Sequence, residues 1–212
     1  YTQEELENSF KEYIESTTKY MGISKEELLS KIKYWYNGYS WDGKTFAYNP
    51  FSTLSFFDKR EFGKHWFATG TPTFLIEQIE KIDDLYIELK VVGDDILRGT
   101  GSEKIEPTAL LFQTGYLTVK KKERGERGVR YTIDFPNFEV REAFLSRLMA
   151  VCARKRQEEV ERVRDKVYEG LEEKDEKKLE RSLTELFANI SYRLITERES
   201  YYHSLFLLAG KR

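Results

Sequence analysis

The sequence predicts a mainly α protein of the α+β kind: a helical bundle with a small hairpin, then a winged-helix domain, then C-terminal helices. Three observations carry that expectation. All four prolines, Pro50, Pro72, Pro107 and Pro136, stand where a segment begins. Capping patterns precede apolar residues at helical spacing. Only short runs alternate in the manner of strands.

The elements follow in order. Thr2-Gln-Glu-Glu5 is a capping-box pattern ahead of Leu6, Phe10, Tyr13, Ile14 and Tyr20, a spacing that predicts one helix closed by Gly22. Ser24-Lys-Glu-Glu27 opens a second helix with Leu28, Ile32 and Trp35 on one face. Asp42-Gly43 between aromatic-rich arms predicts a hairpin with a two-residue turn. Trp35, Tyr36, Tyr39, Trp41, Phe46 and Tyr48 are expected to form a small core under it rather than a carbohydrate or base platform. Pro50 and Pro72 take first helical positions, predicting helices near 50–58 and 72–82. Pro107 begins another helix, through Thr114. Strands at 116–120 and 130–135 follow, because Leu117 and Val119, then Tyr131, Ile133 and Phe135, alternate with polar neighbours. A polar loop joins the two strands. Helix, strand, strand, helix is the closing half of a winged helix. Asn137 is placed to cap the run from Phe138, residues 137–190 read as two or three helices, and the charge-dense stretch 154–178 reads as an exposed helical face or hinge. Domains are expected at 1–84, 85–153 and 154–212.

Composition sets the limits. With 212 residues, 40% hydrophobic and 34% charged, the chain is long enough to bury a core under a charged surface. A net charge of −2 excludes a global pull toward DNA or membrane, so any such pull must be local. The single cysteine, Cys152, excludes an internal disulfide and a cysteine-rich zinc site. His65 and His203 are too far apart in sequence to suggest a histidine metal site. No apolar run approaches the ~20 residues a membrane helix needs. These readings point to a soluble, cytoplasmic protein. Beginning at Tyr1 and stopping just after the apolar run 205–209, it reads as an internal piece of a larger one.

Several phrases are more specific: Trp35-Tyr-Asn-Gly-Tyr-Ser-Trp41, Tyr48-Asn-Pro-Phe-Ser52, Trp66-Phe-Ala-Thr-Gly-Thr-Pro-Thr-Phe-Leu75, Leu111-Phe-Gln-Thr-Gly-Tyr-Leu-Thr118, Phe135-Pro-Asn-Phe-Glu-Val-Arg141 and Tyr201-Tyr-His-Ser-Leu-Phe206. In that order they resemble the AAA-ATPase-like proteins of bacteria and archaea that end in a PD-(D/E)XK nuclease-like domain. The resemblance covers nearly the whole chain. It implies a central segment: residues 1–84 as a helical lid, 85–153 as a winged helix, and 154–212 as a helical linker with the first helix of the nuclease-like domain. ATP and Mg²⁺ are implied for the full-length parent, and no cofactor for this chain. Neither the Gly-x-x-x-x-Gly-Lys-Ser/Thr loop nor the strand-borne Asp and Glu-x-Lys set occurs in the sequence. The expectation is a non-catalytic coupling segment whose partners are its own flanking ATPase and nuclease-like domains.

Candidate sites follow from the same residues. By the resemblance, Glu199 corresponds to a first-helix acid that can assist metal binding, with His203 one turn on; Thr196-Glu-Arg-Glu199 as a capping box, and His203 as a packing or hydrogen-bonding residue, are the simpler readings. Asn37, Thr69 and Thr71 fall in the implied lid, where they could border a nucleotide; turn chemistry at Gly38 and Gly70, with Thr71 as a cap, is the simpler reading. Lys120, Lys121, Lys122, Arg124, Arg127 and Arg130 outnumber Glu123 and Glu126 in one loop, a basic wing able to meet DNA phosphates without reading sequence. A solvated hairpin tip is the commoner meaning of such a run. Asp94-Asp95 reads as a helix start. The apolar end 205–209 is a candidate contact for a homo-oligomer.

Overall fold

The computed structural model describes residues 1–66, 90–94, 97, 107–126, 128–152 and 155–187. The protein is mostly helical with small antiparallel sheets, as its composition and capping patterns predict. Contacts divide it into two compact units, one of Tyr1–Thr71 with Ile87–Ala143 and one of Pro72–Tyr86 with Phe144–Arg212. The first unit therefore draws on residues from both the first and the second expected domain.

The first unit opens on helices α1 (Gln3–Ser9), α2 (Lys11–Met21) and α3 (Lys25–Tyr36). Thr2 and Glu5 form the reciprocal capping box that starts α1, and Ser24 accepts from the Glu27 N–H to start α3. The single helix expected over residues 3–21 is interrupted. At Phe10 the backbone leaves the helical region (φ −111, ψ 22), and the ring stacks on Phe57 at 5.0 Å. Gly22 closes α2 in the left-handed conformation. On α3 the buried stripe is Leu28, Ile32 and Tyr36, with Trp35 at its edge against Phe62 and Phe138. Helix α4 (Pro50–Lys59) starts as predicted, with Asn49 as cap and Pro50 in its first turn, and delivers Phe56 and Phe57 to the same core.

Strands β1 (Asn37–Tyr39) and β2 (Ala47–Tyr48) pair antiparallel, but not through a two-residue Asp42-Gly43 turn. Residues 40–46 form a longer loop because Asp42 folds back on it. Its carboxylate accepts from Lys44 N at 2.8 Å, Thr45 N at 3.0 Å and the Ser40 hydroxyl at 3.1 Å. Trp41 is carried outward on this loop, 78% exposed, and is not part of the expected aromatic core.

A three-stranded sheet completes this unit in the order β3 (Lys90–Gly93), β5 (Gly128–Asp134), β4 (Thr118–Gly125). Helix α5 (Pro107–Gln113) precedes β4 and buries Ala109 and Leu111. The strands run longer than predicted. Backbone pairing extends from Thr118↔Asp134 to Gly125↔Gly128, so the lysines expected in a loop belong to β4. Strand β3, too short to announce itself in sequence, pairs with β5 and buries Val92. The outer edge of β4 is covered by loop 40–43: Thr118 Oγ1 accepts from Ser40 N at 2.7 Å and donates to Ser40 O at 2.8 Å. Gly43 (φ +69) lies so close to β4 that a Cβ there would stand 2.8 Å from the Lys121 Cα.

Helix α6 (Phe138–Cys152) gives its first turns to the first unit and the rest to the second. In the second unit, α7 (Gln157–Glu173) and α8 (Glu176–Phe187) form an antiparallel hairpin. The charge-dense stretch is not exposed throughout. Val160, Val163 and Val167 recur at helical spacing and are buried, together with Arg164, which donates to Ser146 and Tyr168 at 2.8 Å. Gly170 lets the helices approach, since a Cβ there would lie 3.1 Å from Leu179 N.

Candidate functional site

Three of the sequence phrases converge in the first unit. Tyr36-Asn37-Gly38-Tyr39 ends α3 and forms β1, Asn49-Pro50-Phe51-Ser52 starts α4, and Pro136-Asn137-Phe138-Glu139 starts α6. Each helix start has an asparagine cap: Asn49 Oδ1 accepts from Ser52 N at 3.2 Å, and Asn137 Oδ1 from Val140 N at 3.0 Å. Gly38 (φ +128) passes against the turn before α6, where a Cβ would fall 1.9 Å from the Pro136 carbonyl oxygen. Only glycine fits there.

Glu139 is the centre of this polar cluster. It is wholly buried, and Oε1 accepts the Trp66 backbone N–H at 2.7 Å. Burial pushes its pKa above the usual carboxylate range, partly offset by the Ser52 hydroxyl and the Trp66 and His65 backbone N–H groups. Its second oxygen, Ser52 Oγ, the Tyr39 hydroxyl, Asn37 Oδ1 and Asn137 Nδ2 are buried with no hydrogen bond of good geometry. Tyr36 fixes the same loop from α3: its hydroxyl accepts from Gly63 N at 3.0 Å and donates to Gly63 O at 3.3 Å. Burial raises the Tyr36 and Tyr39 phenols well above their ordinary range, and the nearby Glu139 adds to this. The cluster therefore holds neutral phenols around a carboxyl whose charged form burial disfavours.

The expected sites fare differently. Asn37 is buried beside the Tyr48 hydroxyl, in the cluster just described. Thr69, Thr71, Arg127, Glu199 and His203 lie outside the described residues, as do the predicted helix at 72–82 and the apolar end 205–209. Asp94 accepts from the Tyr131 hydroxyl at 3.1 Å. Among the described residues no group of three or more His, Cys, Asp and Glu could hold a metal, and His65 turns Nε2 to the Glu61 carbonyl at 3.1 Å.

The basic wing is divided. Lys120 points inward and donates to the Pro136 carbonyl at 2.8 Å, and burial lowers its pKa. Residues directly opposite share a face, so Lys122 and Arg124 lie with Tyr131 and Val129, while Lys121 and Glu123 lie with Thr132 and Arg130. Lys121 is ion-paired to Glu123 at 2.7 Å, and Lys122 sits over the Tyr131 ring. The shallow concavity at the tip sets Glu123 and Glu126 beside Arg124 and Arg130. Among the described residues, no single face of the hairpin collects the expected cations.

Sequence reasoning missed Glu139, Ser52 and the inward turn of Lys120. The signal available was the repeated pairing of Asn with Pro at a helix start, followed by a polar residue two or three positions on.

No family model matches this chain. No solved structure matches it. It is similar to the protein from Azotobacter chroococcum mcd 1 described as "Uncharacterized protein in vnfD 5'region", with 35% identity in an alignment of 196 positions covering 87% of this chain and 36% of that protein. The chain thus spans about a third of the length of the curated relative it matches.

Proposed function

We propose that this chain is a non-catalytic central segment of an AAA-ATPase-like protein, coupling a P-loop ATPase to a PD-(D/E)XK nuclease-like domain. One observation carries the reading: three of the phrases behind the family resemblance meet in a buried hydrogen-bonding hub. Tyr36, Gly38, Asn49, Ser52 and Glu139 join the end of α3, the start of α4, loop 61–66 and the start of α6. Such a hub ties the end of α3 and the starts of α4 and α6 to one another, the stiffness that a coupling segment needs. Helix α5 followed by the β4–β5 hairpin, with β3 beside β5, supports the winged-helix reading of that sheet. The relative's greater length fits a segment with domains around it.

Two measurements test the proposal. The isolated chain is expected to hydrolyse no ATP with Mg²⁺, and the ATPase region of the parent, expressed separately, is expected to bind it in calorimetry. Hydrolysis by the chain alone, or no association with that region, would overturn it.

A further inference from the structure

Lys120 is placed in a way that coupling does not require. From Val119 to Lys121, strand β4 advances two residues while β5 advances one, from Ile133 to Thr132. Lys120 is therefore the extra residue of a β-bulge, a device that re-aims a side chain out of the ladder. Two glycines leave room for it. A Cβ on Gly43 would stand 3.0 Å from the Lys120 carbonyl carbon, and a Cβ on Gly38 would stand 3.4 Å from its Nζ. The amine ends on the Pro136 carbonyl at 2.8 Å.

This seat does not suit a charge. Burial disfavours the ammonium more than Asp134, which forms no ion pair with it, favours it. Among the described residues no carboxylate pairs with Nζ. Nearby lysines are placed otherwise: Lys121 is paired to Glu123, Lys122 lies over Tyr131, and Lys44 is exposed. A stabilising role does not account for the bulge and its glycines, since an ammonium without a counter-charge gains nothing from burial. A neutral amine fits better. One N–H stays on Pro136 and the nitrogen lone pair is left free. The residue is partly exposed, which gives a small electrophile access.

We infer that Lys120 is an N-acylation site, an acceptor for activated acyl groups carried as acyl phosphates or thioesters. Its neutral amine attacks the acyl carbon. A C–N bond forms, the C–O bond to phosphate or the C–S bond to thiol breaks, and the proton lost from nitrogen goes to the leaving group or to solvent. The amide product is uncharged and keeps one N–H for Pro136. Modification thus removes the unpaired charge and spares the hydrogen bond.

The test is site-resolved mass spectrometry of the full chain after brief exposure to acetyl phosphate and, in parallel, to the acetyl thioester of coenzyme A. Lys44 serves as the exposed reference. Near neutral pH, Lys120 is expected to acetylate several-fold faster than Lys44 with at least one donor, and the donor that works identifies the source. The excess should shrink as pH rises into the ordinary lysine range, where Lys44 also becomes neutral. In urea the two rates should become equal, because the bulge and its glycines no longer act. Two results would each overturn the inference. One is labelling of Lys120 in the folded chain no faster than that of Lys44 with both donors. The other is an excess that persists in urea, which would trace to local sequence instead of the seat.

Discussion

Replacing Glu139 with glutamine and with alanine separates its charge from its hydrogen bond. Glutamine keeps an oxygen for the Trp66 N–H, now accepted at 2.7 Å, and turns an amide toward Ser52, but it cannot ionise. In the folded chain burial raises the Glu139 pKa, whereas the unfolded chain ionises at its ordinary value near 4.3. Above that value the unfolded state has released a proton that the folded state still holds. Wild-type stability therefore declines as pH rises from the unfolded pKa to the folded one, then stays level. Each unit of upward shift weakens folding by about 1.4 kcal/mol. Glu139→Gln removes this decline, so its advantage over wild type should be small at pH 4 and grow toward neutrality. Glu139→Ala also removes the decline but deprives the Trp66 N–H of this acceptor and empties buried volume, which should set it about 2–4 kcal/mol below Glu139→Gln at any pH. Urea unfolding followed by tryptophan emission suits the question, because Trp35, Trp41 and Trp66 all belong to the first unit. Parallel pH profiles for wild type and Glu139→Gln, or equal losses for Gln and Ala, would refute the reasoning.

Other substitutions probe the contacts that shape the two units. Gly38→Ala combines a positive φ of 128° with a Cβ 1.9 Å from the Pro136 oxygen, and should cost about 3 kcal/mol or more in the same urea assay. Thr118→Val breaks both bonds to Ser40 and leaves a buried N–H exposed to no acceptor; a loss of about 2–3 kcal/mol is expected, with Thr118→Ser close to wild type. Lys120→Met removes a charge that burial already disfavours. Its stability should change by no more than about 1 kcal/mol, and the salt slope of any nucleic-acid binding should not move. Gly170→Ala gains helix propensity but meets Leu179 at 3.1 Å. A net loss of about 1 kcal/mol in circular-dichroism melts is expected, and a rise in Tm would show that α7 and α8 can part freely.

What was legible in the sequence was mostly local. The caps at Thr2, Ser24, Asn49 and Asn137 announce helices because each satisfies N–H groups within four residues of itself. The alternation through Tyr131, Ile133 and Phe135 announces a strand because one face of it is buried. The misses are tertiary. Lys120 looks like its neighbours Lys121 and Lys122 until the turn at Pro136 supplies an acceptor sixteen positions away. Asp42-Gly43 is a good two-residue turn in isolation, and it lengthens because Asp42 folds back on Lys44 and Thr45 while Ser40 is claimed by Thr118. Glu139 reads as an ordinary first-turn acid favoured by the helix dipole. Nothing near it in sequence reveals that loop 61–66 seals it from solvent.

These ties bear on the coupling reading. Trp66 reaches Glu139 across 73 positions and Ser40 reaches Thr118 across 78, and both bonds are short and partly or wholly buried. Apolar contacts alone allow neighbouring arrangements of similar energy, because they have no direction. A buried polar tie does not, since slipping it leaves a donor or acceptor unsatisfied at about 1–3 kcal/mol each. A segment that relays motion between domains needs this kind of stiffness at the places where its helices end and its loops begin. That is where the hub and the Ser40–Thr118 clasp are found. Under the proposed coupling role, loosening either should therefore reduce what the segment relays before it unfolds the chain.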